Sequence, residues 1–144
     1  MPTASPGPAG RAGELVDAGR RAGAGRPRHN PSIVDLAAPY QMELAAARQA
    51  LERGAILLDV REAAERSRMH IGGSLWIPLP ELGRRGGEVP RGREVIVYCT
   101  SGSRSLRAIP FLRARGVEAA ALVAGLMGWL EARLPTESDT AGGR

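Results

Sequence analysis

The chain has no lysine, so all 20 of its basic residues are arginine, a bias that reflects codon composition rather than function. It has a single cysteine, Cys99, so no intramolecular disulfide can form, and the natural compartment for such a chain is a reducing cytoplasm. Only two histidines are present, and neither stands in a cluster with cysteine, so a metal site is not expected, nor is any cofactor. Aromatic residues make up 3% of the chain, and the core must therefore be built from aliphatic side chains and alanine. No apolar stretch is long enough to span a bilayer; Ala119 to Leu130 comes nearest and is broken by glycine. The apolar segment of a secretory signal is also missing.

Residues 1–31 lack core-forming side chains. They hold six glycines, five prolines and six alanines, with Leu15 and Val16 as the only large apolar residues after Met1. Such a segment cannot offset the entropy of ordering itself, and it reads as a solvated basic tail. The last ten residues, from Pro135 to Arg144, are polar and read as a flexible end. Between them, residues 32–134 leave room for one domain. The net charge of +5 favours anionic small molecules, and it is not evidence of specific nucleic-acid recognition.

The rest of the chain is organised around Cys99-Thr100-Ser101-Gly102-Ser103-Arg104-Ser105. This heptapeptide follows the apolar run Val95-Ile96-Val97-Tyr98 and precedes a stretch of helical periodicity. A strand ending in cysteine, then small residues around a glycine, then an arginine entering a helix, has the parts of an anion cradle. Backbone N–H groups converge there, and the helix N-terminus adds partial positive charge that favours thiolate. Thr100, Ser101, Gly102 and Ser103 would act through the backbone, with Gly102 needing a glycine-only conformation. Arg104 has the planar fork that grips an oxyanion by two hydrogen bonds. The competing reading of Cys99, a small hydrophobe packed in the core, does not explain its place at a strand end before a glycine-containing loop.

Strand and helix patterns alternate along the chain. Ile33 to Leu36 reads as a first strand, followed by a helix over Gln41 to Arg53 with Leu44, Ala47 and Leu51 on one face and Gly54 at its stop. Further strands are predicted over Ala55 to Val60, Ser74 to Ile77, Glu94 to Tyr98 and Ala119 to Val123, with helical segments over Leu79 to Arg85, after the cysteine loop, and over Leu126 to Leu134. The alternation predicts an α/β domain with a mostly parallel sheet, and in such sheets ligands sit beyond the C-terminal ends of the strands. Pro110 should kink or restart the helix that follows the loop, and Gly116 should end it.

The loop resembles the active-site loop of the rhodanese family of sulfurtransferases. Three other stretches fit the same family: Leu58-Asp59-Val60-Arg61-Glu62-Ala63-Ala64-Glu65, His70-Ile71-Gly72-Gly73-Ser74 and Gly125-Leu126-Met127-Gly128-Trp129. Together they cover roughly residues 33 to 134. The resemblance implies a three-layer fold with a mostly parallel central sheet flanked by helices. It also implies that Cys99 takes sulfur from a donor such as thiosulfate as a persulfide and passes it to cyanide, a small thiol, or a thioredoxin-like or other protein thiol. It places Asp59 and Arg61 near the active-site face, as candidates for supporting the site. From spacing alone, Arg61 and Glu65 read as an i, i+4 helix pair, His70 as structural, and Trp129 as a core anchor.

Two other functions compete with this one. A cysteine phosphatase or arsenate reductase carries five residues between cysteine and arginine, whereas here there are four, Thr100 to Ser103. The smaller ring suits a sulfur atom better than a tetrahedral phosphate. A rhodanese-like sulfur carrier or regulatory binding module is the other alternative, and the retained cysteine favours the enzyme over it.

Overall fold

In the computed structural model, the described residues are Ser32 and residues 36–139. The expected basic tail over 1–31 and the core of the first predicted strand lie outside them. Leu36 is not in a strand: its N–H donates to Ser32 O at 3.0 Å, a helical bond. The edge strand is instead β1, Gln41–Met42, which occupies positions read from the sequence as the start of a helix. The helix, α1, is Leu44–Glu52. It buries Ala47 and Ala50, packs Leu44 and Leu51 at its margin, and stops at Gly54, whose φ is +102°. Pairing of Gln41 with Ala121 and Met42 with Leu122 decides the difference, because a neighbouring strand supplies hydrogen bonds that local periodicity does not reveal.

The remaining elements follow the predicted alternation. They are β2 (Ile56–Asp59), α2 (Ala63–Arg68), β3 (Leu75–Trp76), a 3₁₀ turn at Leu79–Glu81 leading into α3 (Leu82–Arg85), β4 (Glu94–Tyr98), α4 (Ser103–Ala114), β5 (Glu118–Leu122) and α5 (Gly125–Glu131). Among the described residues the five strands pair only in parallel, in the order β1-β5-β4-β2-β3. From β2 the chain moves outward to β3; from β4 it moves the other way to β5. The crevice where a parallel sheet holds its ligand therefore lies between the C-terminal ends of β2 and β4.

Alternation along the central strands divides the core into two. Leu58, Val95, Val97, Ala119 and Ala121 pack with Ala108, Ile109 and Leu112 of α4, whereas Leu57, Ile96, Tyr98 and Leu122 pack with Ala47, Ala50, Leu126 and Trp129. Apolar side chains on both faces are what a parallel strand covered on both sides requires. The period of two continues past the end of β4, so Cys99 points to the α4 face and Tyr98 to the other.

Two expectations are corrected. Helix α4 runs through Pro110 to Ala114 without the restart expected there. The proline removes the hydrogen bond to Leu106 O, at about 3 kcal/mol, but Ala108, Ile109 and Leu112 are fully buried against the sheet and hold the two halves together. The second correction concerns the polar end. Its first residues are tied down: Pro135 O accepts from Trp129 Nε1 at 2.8 Å, and Glu137 forms a two-bond antiparallel bridge with His70. Backbone groups, not apolar side chains, anchor this segment, so composition did not reveal it.

Candidate active site

The Cys99 sulfur is buried, with 1% of the residue exposed. It accepts hydrogen bonds from Gly102 N–H at 3.1 Å and, at 3.4 Å, from Ser105 N–H in the first turn of α4. Ser105 Oγ lies 3.8 Å from the sulfur and donates its own hydrogen to Gly102 O at 3.0 Å. With that hydrogen committed, the oxygen presents lone pairs to a thiol S–H. When the proton leaves, the two backbone donors remain aimed at the sulfur.

Two glycines make this loop possible. Gly102 has φ +113°, and a Cβ there would stand 2.5 Å from Val123 O. Gly125, φ +59°, lets the start of α5 sit directly on the loop; a Cβ would be 2.6 Å from Cys99 O and 2.7 Å from Thr100 O. Leu126 N–H and Met127 N–H donate to those same two carbonyls at 2.8 and 3.0 Å. The glycine of the closing motif thus carries the loop's backbone on the end of a helix. Trp129, buried below it, is the core anchor the sequence suggested.

Arg104 does grip an anion with two hydrogen bonds, but the anion belongs to the protein. Its two terminal nitrogens donate to the two oxygens of Glu65, both at 2.7 Å. Thr100 Oγ1 and Glu62 N–H also donate to that carboxylate, at 3.3 and 3.0 Å. The hydrogen bonds from Arg104, more than any other cause, lower the Glu65 pKa to about 2 against the opposition of partial burial. The expected Arg61–Glu65 pair does not form, because α2 begins only at Ala63 and Arg61 lies before it. Ser101 and Ser103 are exposed at the crown of the loop.

Arg61 instead closes on Asp59. Asp59 is fully buried, and its carboxylate accepts from Arg61 N–H, Nε and a terminal nitrogen at 2.9 to 3.0 Å, from Arg66 at 3.2 Å and from Tyr98 O–H at 3.2 Å. Arg66 also holds Ser74, through Oγ and the carbonyl, and Arg61 reaches Met69 O. Burial, reinforced by the Asp59 charge, raises the Tyr98 pKa. None of the hydrogen bonds of Asp59 or Arg61 goes to the cysteine loop. Their connection to it is Tyr98, the residue before Cys99, on the opposite face of the sheet. His70 Nδ1 lies 2.9 Å from Arg66 O in the same framework.

Sequence reasoning missed Ser105, Tyr98 and the partnership of Glu65 with Arg104. Ser105 had one visible signal, its place immediately after the loop arginine. Among the described residues no group of three histidine, cysteine, aspartate or glutamate side chains is placed to hold a metal, and no helix is long and apolar enough to cross a membrane. A cavity of about 460 Å³ opens beside the loop between Val60, Glu62, Leu79, Pro80, Arg104 and Arg107. A slightly larger one, about 490 Å³, lies away from it near Leu51, Ile71 and Trp129 and includes no loop residue.

A family model for the rhodanese-like domain matches residues 43–132, and the chain belongs to that family. Its fold is shared with a rhodanese-related protein of known structure from Thermoplasma volcanium, 28% identical, with a TM-score of 0.63 over 67% of this chain and 96% of that one. Among curated proteins it is 33% identical over 81 residues to a sulfurtransferase of Allochromatium vinosum, covering 56% of this chain and 76% of that protein. A putative sulfur carrier protein of Bacillus subtilis, YrkF, is 35% identical over 74 residues, covering 51% of this chain and 40% of that protein.

Proposed function

We propose that this protein is a sulfurtransferase that works through a persulfide on Cys99. The observation that carries this reading is the Cys99 sulfur itself, seated at the end of β4 with the N–H groups of Gly102 and Ser105 directed at it. Preorganised backbone donors stabilise a thiolate and then the anionic persulfide without moving between the two. In the forward step the thiolate attacks the outer sulfur of a sulfane donor. With thiosulfate, a new S–S bond forms, the old S–S bond breaks, and its electron pair leaves on sulfite. An acceptor, either cyanide or the thiolate of a small or protein thiol, then attacks the outer sulfur, and the Cys99 thiolate is regenerated. Two half-reactions through a covalent intermediate predict ping-pong kinetics.

In this mechanism Gly102 and Ser105 hold the charge, and Thr100, Arg104 and Glu65 fix the loop wall. Asp59 and Arg61 keep the end of β2 and the approach to Tyr98 in place. Similarity to both a sulfurtransferase and a putative sulfur carrier supports sulfur handling in general, while thiosulfate as donor and the cytoplasm as location are our own assignments. The test is intact mass: wild-type protein should gain one sulfur atom from thiosulfate or another sulfane donor and lose it to cyanide as thiocyanate. Absence of any gain, or an equal gain by Cys99→Ser, overturns the reading. Sulfur retained until a specific protein thiol is added would assign the carrier role instead.

A further inference from the structure

The larger cavity, about 490 Å³, has no part in the sulfur chemistry. It lies against Ile56 and Leu57 at the start of β2, whereas the cysteine loop follows the last residue of the neighbouring parallel strand, β4. Leu51 at the end of α1, Ile71 and Trp129 complete its apolar wall. A cavity of roughly 150 Å³ holds a benzene molecule, so this one has room for a ring and a short chain. Its rim is already built. Pro135, Thr136 and Glu137 form one side, held by Trp129 Nε1 on Pro135 O at 2.8 Å and by the two backbone bonds between Glu137 and His70, at 2.7 and 2.8 Å. A ligand would not have to order that segment.

The charge at this cavity is negative. Although the chain carries 20 arginines, none lines it among the described residues, and Glu137 is the one ionisable side chain there. The carboxylate is seated over Gly72: Oε2 lies where a Cβ of residue 72 would stand. It accepts no hydrogen bond among the described residues, and its one ion-pair neighbour, His70 Nε2, stands 3.7 Å from Oε1. The other ring nitrogen, Nδ1, lies 2.9 Å from Arg66 O and must carry a hydrogen, since a carbonyl only accepts. In its neutral form His70 therefore turns a lone pair towards Glu137 and leaves the carboxylate uncompensated. A carboxylate without hydrogen bonds at the mouth of an apolar cavity is complementary to a cation that brings an apolar body.

We infer that this cavity is a binding site for a small primary ammonium compound with an aromatic or aliphatic body. The body fills the space between Leu51, Ile56, Ile71 and Trp129, and the ammonium group donates to the carboxylate of Glu137. A neutral compound of the same shape gains the apolar wall alone. A carboxylate compound meets the like charge of Glu137 as well. Cys99 takes no part in this binding, so the site is independent of the sulfurtransferase reading.

The experiment titrates the full chain with 2-phenylethylamine, 2-phenylethanol and 3-phenylpropionate, followed by the chemical shifts of Leu57, Ile71 and the Trp129 indole N–H. The amine should bind with a Kd of about 1 mM. The alcohol should bind about fivefold more weakly, the range of a partly exposed ion pair, and the carboxylate more weakly still. Glu137→Gln should bring the amine down to the level of the alcohol. Because the Glu137 side chain is 67% exposed, circular dichroism should show this variant folded. Gly72→Ala should act in the same way by displacing the carboxylate, and Ala55→Leu should weaken amine and alcohol alike by filling the space. Cys99→Ser should bind the amine as wild type does. Absence of any shift in wild type, or a preference for the amine that survives in Glu137→Gln, overturns the proposal. So does a dimer in sedimentation equilibrium that Ala55→Leu disrupts, because a second copy of the chain would then cover the cavity.

Discussion

The adjacent strand ends at Asp59 and Cys99 solve opposite problems. At Asp59 a buried charge is surrounded by side chains: two arginines and a tyrosine donate to one carboxylate, and the arginines go on to tie down Met69 and Ser74. At Cys99 the donors are backbone N–H groups, and the loop's charged arginine is turned aside to Glu65. A charge paired on all sides is stable and chemically quiet, because any change of ionisation strands its partners. A sulfur held by backbone dipoles has no counter-charge to lose when its proton leaves or a second sulfur arrives. The first region builds the frame and the second is left free to react.

Substitutions should separate the two regions cleanly, with Cys99→Ser having the largest effect. It should abolish sulfur uptake while leaving the melting temperature within a few degrees of wild type, as read by intact mass and thermal unfolding. Asp59→Ala should do the reverse in kind. Leaving Arg61 buried without its carboxylate should remove about 3 kcal/mol of stability in urea titration, with activity falling only as the folded fraction falls.

Arg104→Lys keeps the charge but loses the fork on Glu65. Sulfur transfer should drop about tenfold, a loss of about 1.4 kcal/mol, and Glu65→Gln should reproduce most of it. Unchanged kinetics in both would show that the backbone donors alone hold the loop. Ser105→Ala sharpens the contrast from the other side: it should slow persulfide formation by a few-fold with little change in stability, because the two N–H donors to sulfur remain.

The smallest effect is electrostatic. Glu65 titrates near 2 in the folded protein against an ordinary value of 4.5, so it binds protons less readily when folded. Its contribution to stability is complete above about pH 4.5 and fades as pH falls toward 2. With the pair about a third exposed, solvent screening keeps the contribution below about 1 kcal/mol. Denaturation of wild type and Glu65→Gln should therefore differ by a constant amount from pH 7 to 5, and the curves should converge below that. A gap that widens on acidification would contradict the assignment.

Much of the frame was legible along the chain. Apolar runs at 55–60, broken only by Asp59, and at 95–98 became the central strands, Gly54 and Gly116 ended their helices, and Cys99, Gly102 and Arg104 marked the loop that carries the candidate site. Such signals are local: they depend on the period of side chains and on the few residues that can adopt a given backbone angle. Other features were settled by groups distant in sequence. Edge strand β1 exists because β5 lies beside it, and α4 passes through Pro110 because the sheet holds it. Glu137 is ordered by bonds to His70. Above all, spacing offered Arg61 as the partner of Glu65, whereas folding brought up Arg104, 39 positions away. A charge chooses its partner by distance in space and by burial, and neither is written in sequence separation.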